Sequence, residues 1–563
     1  MNHAAPKPTC IDLFCGCGGF SLGMQRAGFS LLAAIDSNAE AIATFDENLP
    51  DVPFVLRQDL TSFGPDNLAE LIWPNSAAAI AVDVIVGGPP CQGFSTARQV
   101  DGANHGRRLK PDPRRHLYRE FLRYVESFQP RVFIMENVLG LRNAAGGAYF
   151  TAVQREARAL GRTQGWPGYR VHGQVEDAWE LGVPQKRYRQ LIIGVRNDLP
   201  GYFLPELKPA PRAQPRPSLW DAIGDLPILR AGSGECERDY DWPRRLEHVD
   251  NHGDGAVRYL CNVLEIDRAK KLTCHVARPH SERDLRDFAR LKEGENSRSA
   301  MRDRGVQFEF PYDKSIFKDR YTRQSRWHPC STIVAHLNKD GLMFIHPTQC
   351  RSLTVREAAR VQSFPDWFHF PESRTQAYRL IGNAVPPLVA EAVGLAARKF
   401  LQTDPSPSRP SILPGSADFR RIPPAATPHE GTGAFVPTER AAAASALERL
   451  AQLDRRALRA LPGEDFLRGW HALLFLFPDL HPDNALDHGD AVEVWEDSQL
   501  PSTRTEFLAR RYTRTGWPVA LELIGREAWR RYHAKHLAAD DIYCAAAQRA
   551  GLLARRAQAK VNA

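Results

Sequence analysis

At 563 residues, with a hydrophobic share of 43% and a charged share of 25%, the chain is too long for one core and too apolar to be largely disordered, so several folded units are expected. A formal charge of +8 and a pI near 9.0 suit a polyanionic partner without requiring one. The ten cysteines form no paired framework, so no disulfide or zinc scaffold is implied and a reducing cytoplasm fits best. No charged leader precedes an apolar run, and no stretch reaches about 18 uninterrupted apolar residues, so neither export nor a membrane span is expected.

From Thr9 to Arg196, β-type runs alternate with helical stretches: CIDLF, LLAAID, DVIVGG, RVFIMEN and RQLIIGV, with FLRYVESF before the fourth. This alternation predicts an α/β fold on a doubly wound, mostly parallel sheet, whose ligand site lies at the strand ends, here Gly16, Asp36, Gly87 and Asn137. Residues 197–349 bring proline-rich connections, basic clusters and weak periodicity, and read as a second, irregular module. Helical spacing returns in RSLTVREAARVQSFP and QAYRLIGNAVPPLVAEAVGLAARKF, so 350–401 is expected to complete the sheet domain. Prolines, serines and glycines mark 402–438 as a linker, and alanine, leucine and arginine at helical spacing mark 439–563 as a mainly helical C-terminal domain.

Within the first stretch, DLFCGCGGF (Asp12 to Phe20) joins a strand to a helix. Glycines 16, 18 and 19 let backbone approach a nucleotide-like ligand, with helix amides nearby. Asp36 at the next strand end can accept from both hydroxyls of a ribose, and Asp59 from an exocyclic adenine amine. Either acid alone is also what an exposed strand end carries. DVIVGGPPCQGFS sets Cys91 between Pro89-Pro90 and Gln92-Gly93. A free cysteine is ordinarily an inert small hydrophobe, but a stiffened turn presents this thiol for attack as a thiolate.

RVFIMENV ends an apolar strand on Glu136, which is either a cap on the next segment or an acid able to donate a proton to a ring. In GVPQKRYRQLIIGV, alternation puts Arg187 and Arg189 on one face, so both guanidinium groups are expected in one site unless they form a plain basic edge. LIGNAVPP places Asn383 before Pro386-Pro387 at a helix start. Histidines and acids in WHALLFLFPDLHPDNALDHGDAVEVWED match no metal-ligand spacing, and no metal is assigned.

Taken in order, DLFCGCGGF, GGPPCQGFS, MENV, QKRYR, RSLTVREAARVQSFP and GNAVPP resemble the motifs of the cytosine-5 DNA methyltransferase family, from about Thr9 to Phe400. The resemblance implies a Rossmann-like methyltransferase fold with a target-recognition module at 197–349. It implies S-adenosyl-L-methionine as methyl donor and carbon 5 of a flipped cytosine as acceptor. Phe14, Gly16, Gly18, Gly19, Asp36, Asp59, Leu60, Pro90, Leu117, Asn383 and Val385 would line the cofactor pocket. Cys91 would be the nucleophile, with Glu136, Arg187 and Arg189 around the base. Family members more often carry glutamate where Asp36 stands, so the shorter acid must sit closer to the ribose.

The loop after Cys91 offers Gln92, Ser95, Arg98, Arg107, Arg108 and Lys110 as DNA contacts, although a solvated charge run would read the same way. Expected partners are double-stranded DNA and a cognate restriction endonuclease, for a monomer in the bacterial cytoplasm, bound to the nucleoid when on DNA. Two other readings stay open: the same chemistry on transfer RNA, and a catalytically silent DNA-binding regulator.

Overall fold

In the computed structural model, the described residues are 7–74, 81–90, 116–143, 148–161, 166–199, 207–214, 216–310, 321–337 and 341–403, with Ala457 and Ala460. The expected linker at 402–438 and the expected domain at 439–563 therefore lie almost wholly outside them. Two compact units emerge, one of Met1–Val153, Glu176–Ile193 and Leu207–Arg420, the other of Gln154–Val175, Gly194–Glu206 and Arg421–Ala563.

The sheet is built from β1 (Thr9–Leu13), β2 (Ser30–Asp36), β3 (Phe54–Arg57), β4 (Val84–Gly87), β5 (Val132–Val138), β6 (Tyr169–Asp177) and β7 (Tyr188–Arg196), in the order β3-β2-β1-β4-β5-β7-β6. The pairs β1/β2, β2/β3, β1/β4 and β4/β5 are all parallel. Central strands covered on both faces need unbroken apolar runs, and Ile11, Ile85, Val86, Phe133 and Ile134 are fully buried. The chain starts mid-sheet, winds outward to β3, and returns to the other side of β1 as β4. That reversal makes the crevice between the ends of β1 and β4 the natural ligand position. The doubly wound α/β fold expected from the alternation is the one observed.

Helix α1 (Gly19–Arg26) follows β1, and α2 (Ala39–Asn48) follows β2, capped by Asn38, whose side chain accepts from Ala41 N at 2.9 Å. Helix α3 (Pro65–Ile72) follows β3, and α4 (Tyr118–Phe128) precedes β5.

Residues 207–403 belong to the same compact unit as β1–β5. They include a two-stranded antiparallel ribbon, β8 (Gly234–Arg238) with β9 (Leu272–Val276). Phe288, Phe308, Phe310 and Tyr321 pack into a small aromatic core of their own. The segment 350–364 turns inward. Its helix Val355–Val361 opens on a capping box, with Glu357 N donating to Thr354 Oγ1 (3.2 Å) and Thr354 N to Glu357 Oε2 (2.7 Å). Arg351 grips the same Glu357 with two bonds of 2.8 Å, and Arg360 lies between Asp225 (2.6 Å) and Asp366 (2.5 Å), all fully buried.

The closing helical run is two helices, Arg374–Asn383 and Pro387–Thr403, interrupted where Pro386 and Pro387 remove two amide donors. Although 374–402 is long and apolar enough to cross a membrane, most of its apolar window is buried in the fold, as in a core element. In the second unit, Arg158 donates to Gln154 Oε1 and Val171 O, both at 2.7 Å, and burial pushes the His172 imidazole down to about 3.

Candidate active site

At the switch point, Leu13 pairs with Gly87. A Cβ on Gly87 would lie 2.3 Å from the Leu13 carbonyl oxygen, so glycine is needed for the turns after β1 and β4 to start side by side. The first turn enters left-handed backbone at Phe14 (φ 59°), Gly16 (φ 56°) and Gly18 (φ 94°). Gly19 meets a distant part of the chain, since a Cβ there would stand 2.3 Å from the Val385 carbonyl oxygen. Beside Gly16 nothing lies within 4 Å of where a Cβ would be.

Asp36, at the end of β2, accepts from Gly16 N (3.0 Å) and Asn38 N (2.8 Å). Burial raises its pKa above the ordinary carboxylate value, and these amides oppose that rise. A carboxylate has about four acceptor positions, so sites remain for hydroxyl donors. Asp12, fully buried on β1, takes the Ser21 hydroxyl on Oδ2 at 2.6 Å, while its buried Oδ1 has no hydrogen-bond partner. Burial pushes this carboxyl up to about 7.

Asp59 is exposed and binds Thr61 through both its amide (2.9 Å) and its hydroxyl (2.8 Å). Leu60 is buried, and its carbonyl receives the Arg123 guanidinium from α4. Leu117 is half-buried at the start of α4, as is Pro90 two residues beyond Gly88. Asn383 is exposed and Val385 buried.

On the other side of the crevice, Arg189 Nε pairs with Glu136 Oε1 at 2.8 Å, and both side chains are nearly buried. A Cβ on Gly88 would come within 3.5 Å of Glu136 Oε2, so this carboxylate sits against the turn that leads to position 91. Asn137 fixes that turn by donating from Nδ2 to the Pro89 carbonyl at 3.2 Å. Cys91 itself, with Gln92, Ser95, Arg98, Arg107, Arg108 and Lys110, lies outside the described residues.

The two arginines do not share a destination. Arg187 is buried, with Nη1 donating to Ile333 O (2.9 Å) and Nη2 to Gly382 O (3.1 Å) and Ala384 O (3.0 Å). Its position before the strand sends the side chain to the loop around Asn383, while Arg189 goes to Glu136. Two further polar residues were missed: Asp12, whose strand reads as plain apolar core, and Gln362, whose amide donates to Ile381 O at 2.6 Å. Nothing in the local spacing of VQSFP marks Gln362. A carboxylate standing inside an apolar strand at the head of DLFCGCGGF was a signal that could have been used.

Residues 8–399 match the family model of the C-5 cytosine-specific DNA methylases. Type II methyltransferase M.DdeI of Desulfomicrobium norvegicum is 33% identical over 398 residues, covering 68% of this chain and 86% of that protein. Type II methyltransferase M1.HphI of Haemophilus parahaemolyticus is 34% identical over 392 residues, covering 70% and 87%. Among solved structures, a prophage-encoded protein of E. coli described as a DNA modification methyltransferase superposes with a TM-score of 0.54 at 27% identity, covering 70% of this chain and 100% of that one. A family match spanning most of the chain, on a sheet whose switch point carries the glycine turn, the GGPP turn and the Glu136–Arg189 pair, places this protein in the C-5 cytosine-specific DNA methylase family.

Proposed function

We propose that this DNA cytosine-5 methyltransferase draws its methyl group from S-adenosyl-L-methionine, with Cys91 as nucleophile and Glu136 as proton donor. The observation that carries the reading is Glu136, held by Arg189 at 2.8 Å against the turn that runs into position 91. Carbon 5 of cytosine is a poor nucleophile. Addition of the Cys91 thiolate to carbon 6, with a proton delivered by Glu136 to ring nitrogen 3, places an enamine electron pair on carbon 5. After methyl transfer, loss of the carbon 5 proton expels the thiolate and restores the ring. Arg189 orients the Glu136 carboxyl and balances charge beside the base.

The donor sits well with the first turn. Open space lies beside Gly16, whose amide donates to the Asp36 carboxylate, while Asp12 keeps an unpartnered buried oxygen and Asn383 is exposed. Asp36 would take the ribose hydroxyls, Asp59 the adenine amine, and Phe14, Gly18, Gly19, Leu60, Pro90, Leu117 and Val385 the remaining surface. When bound, the cofactor supplies an electrophilic methyl group on a sulfonium. A stacked cytosine hides carbon 6, so the base must be extruded, at a cost of a few kcal/mol that phosphate contacts from Arg98, Arg107, Arg108 and Lys110 would offset.

Relatives named as Type II methyltransferases support work beside a cognate restriction endonuclease on double-stranded DNA in a bacterial cytoplasm. The test is bisulfite sequencing of DNA from cells expressing the intact chain or Cys91→Ser. Protected cytosines in a fixed sequence context are expected only with the intact chain. Equal methylation by Cys91→Ser would remove Cys91 from the mechanism, and none by either would overturn the reading.

A further inference from the structure

We infer that Arg187 is a positioning residue for the cofactor, acting through Asn383, and not a contact to the target base. The inference rests on the proposed placement of Asn383 at the cofactor pocket. The last carbonyls of a helix lack intrahelical donors, and at the end of Arg374–Asn383 the Ala384 amide meets Leu380 O and Ile381 O. Arg187 takes the carbonyls beyond them from one guanidinium: Nη2 binds those on either side of Asn383, Gly382 (3.1 Å) and Ala384 (3.0 Å), while Nη1 anchors to Ile333 O (2.9 Å). A cation there also complements the negative end of the helix dipole.

Gln362 completes the clamp, donating to Ile381 O (2.6 Å) and Ala384 O (3.4 Å), and is itself held by Gln185 Nε2 (2.6 Å). The Gln185 Oε1 atom accepts from Ile333 N at 3.0 Å, closing the ring of bonds on the same residue that anchors Arg187. Around this pinned backbone Ile381, Gly382, Ala384 and Val385 are buried, and Asn383 alone is exposed. The segment 185–189 thus serves both halves of the site, with Arg187 fixing the Asn383 turn and Arg189, two residues on, engaging Glu136. A lysine has one nitrogen and cannot reproduce the fork that ties the Asn383 turn through Nη2 to Ile333 through Nη1, so Arg187→Lys keeps the charge and loses the geometry.

Calorimetric titration of the full chain with S-adenosyl-L-homocysteine, without DNA, reads the effect apart from turnover. Arg187→Lys is expected to weaken binding about tenfold, as for one lost charge-assisted bond. In assays, cofactor KM should rise in step, while DNA KM and the rate at saturating cofactor stay within about twofold. If Arg187 acts through Asn383, the same substitution made on Asn383→Ala adds no further loss of binding.

A rate falling about a hundredfold at saturating cofactor with unchanged calorimetric affinity would instead assign Arg187 to the base and overturn the inference. Equal losses toward cofactor and DNA, or full additivity with Asn383→Ala, would reduce the residue to a general fold support and overturn it too. Should Arg187→Lys not fold, Gln362→Met removes the second clamp, and the same split is expected from it. Absence of methyl transfer by the parent chain would refute the proposed function while leaving the binding comparison readable.

Discussion

Two buried sets of charges in the same compact unit behave differently. In the 351–366 segment, Arg351, Glu357, Arg360 and Asp366 satisfy one another and Asp225 completely, with helpers such as Tyr240, whose hydroxyl donates to Asp366 Oδ2 at 3.0 Å. At the crevice, Glu136 is met among the described residues by the single partner Arg189, on the edge of a turn that leads to the proposed nucleophile. A network whose every bond is internal maintains shape. An ion pair placed beside the switch point would, in the proposed function, be available for exchange with a substrate. Location and saturation, not burial or charge, separate scaffold from chemistry.

The widest gap between the two should come from Glu136→Gln, which is expected to slow methyl transfer about 10²–10⁴-fold. Its urea unfolding midpoint should match the parent, since a neutral amide still bonds Arg189. A large midpoint shift would make Glu136 part of the scaffold and erase the contrast. Next, Arg360→Met takes from the core the guanidinium that Asp225 and Asp366 share, leaving Asp225 with Arg245 (3.0 Å) and Asp366 with the Tyr240 hydroxyl (3.0 Å), and should cost about 3–5 kcal/mol of unfolding free energy. A midpoint within error of the parent would show that the network is not what holds 351–366 in place.

Acid should unravel the scaffold before it protonates the carboxylates. Burial pushes His275 down to about 4 and His346 to about 3, so both stay neutral when folded. Below the ordinary imidazole value of about 6.5 the unfolded chain binds protons that the folded chain refuses. Stability is therefore full above that pH, and falls by about 1.4 kcal/mol per pH unit per histidine down to the folded values. The Arg351 guanidinium outweighs burial and keeps Glu357 well below the carboxylate range, so its contribution starts to fade only near pH 4.5. Urea titrations at pH 7.5, 6 and 5 should show the decline, and His346→Gln should make it shallower by one histidine's share. A pH-independent midpoint across that window would contradict the buried neutral state.

The smallest effect is expected on the surface, where Arg286 meets Glu309 at 2.8 Å. Arg286→Ala should unfold at the parent's urea concentration, because solvent already screens an exposed pair. A measurable loss would mean that solvent exposure does not divide the two kinds of charge.

Much of the fold was readable because strand burial on two faces and strand-to-helix turns leave local marks. Five observed strands, β1, β2, β4, β5 and β7, fall on the apolar runs, and Asp36 stands at a strand end as expected. The ribbon β8/β9 was hidden, since its strands are short, half-exposed and far apart in the chain. RSLTVREAARVQSFP shows helical spacing, but its charges look solvated until Asp225 is brought in from a remote segment. Arg187 and Arg189 look equivalent at a spacing of two. Only the long-range carbonyls at 333, 382 and 384 tell them apart, and no local pattern encodes those.

One packing detail reaches into how the protein is made. Helix α1 is seated on Pro387–Thr403 so closely that a Cβ on Gly23 would stand 2.3 Å from that of Ala390, and one on Gly394 would stand 2.6 Å from that of Ala27. The glycine turn leaves the ribosome before its supporting helix, which follows more than three hundred residues further along the chain. Until then the nascent chain carries an unfinished cradle with its apolar flank uncovered. Ribosome-bound chains halted before position 385 should therefore engage chaperones and ignore the methyl donor.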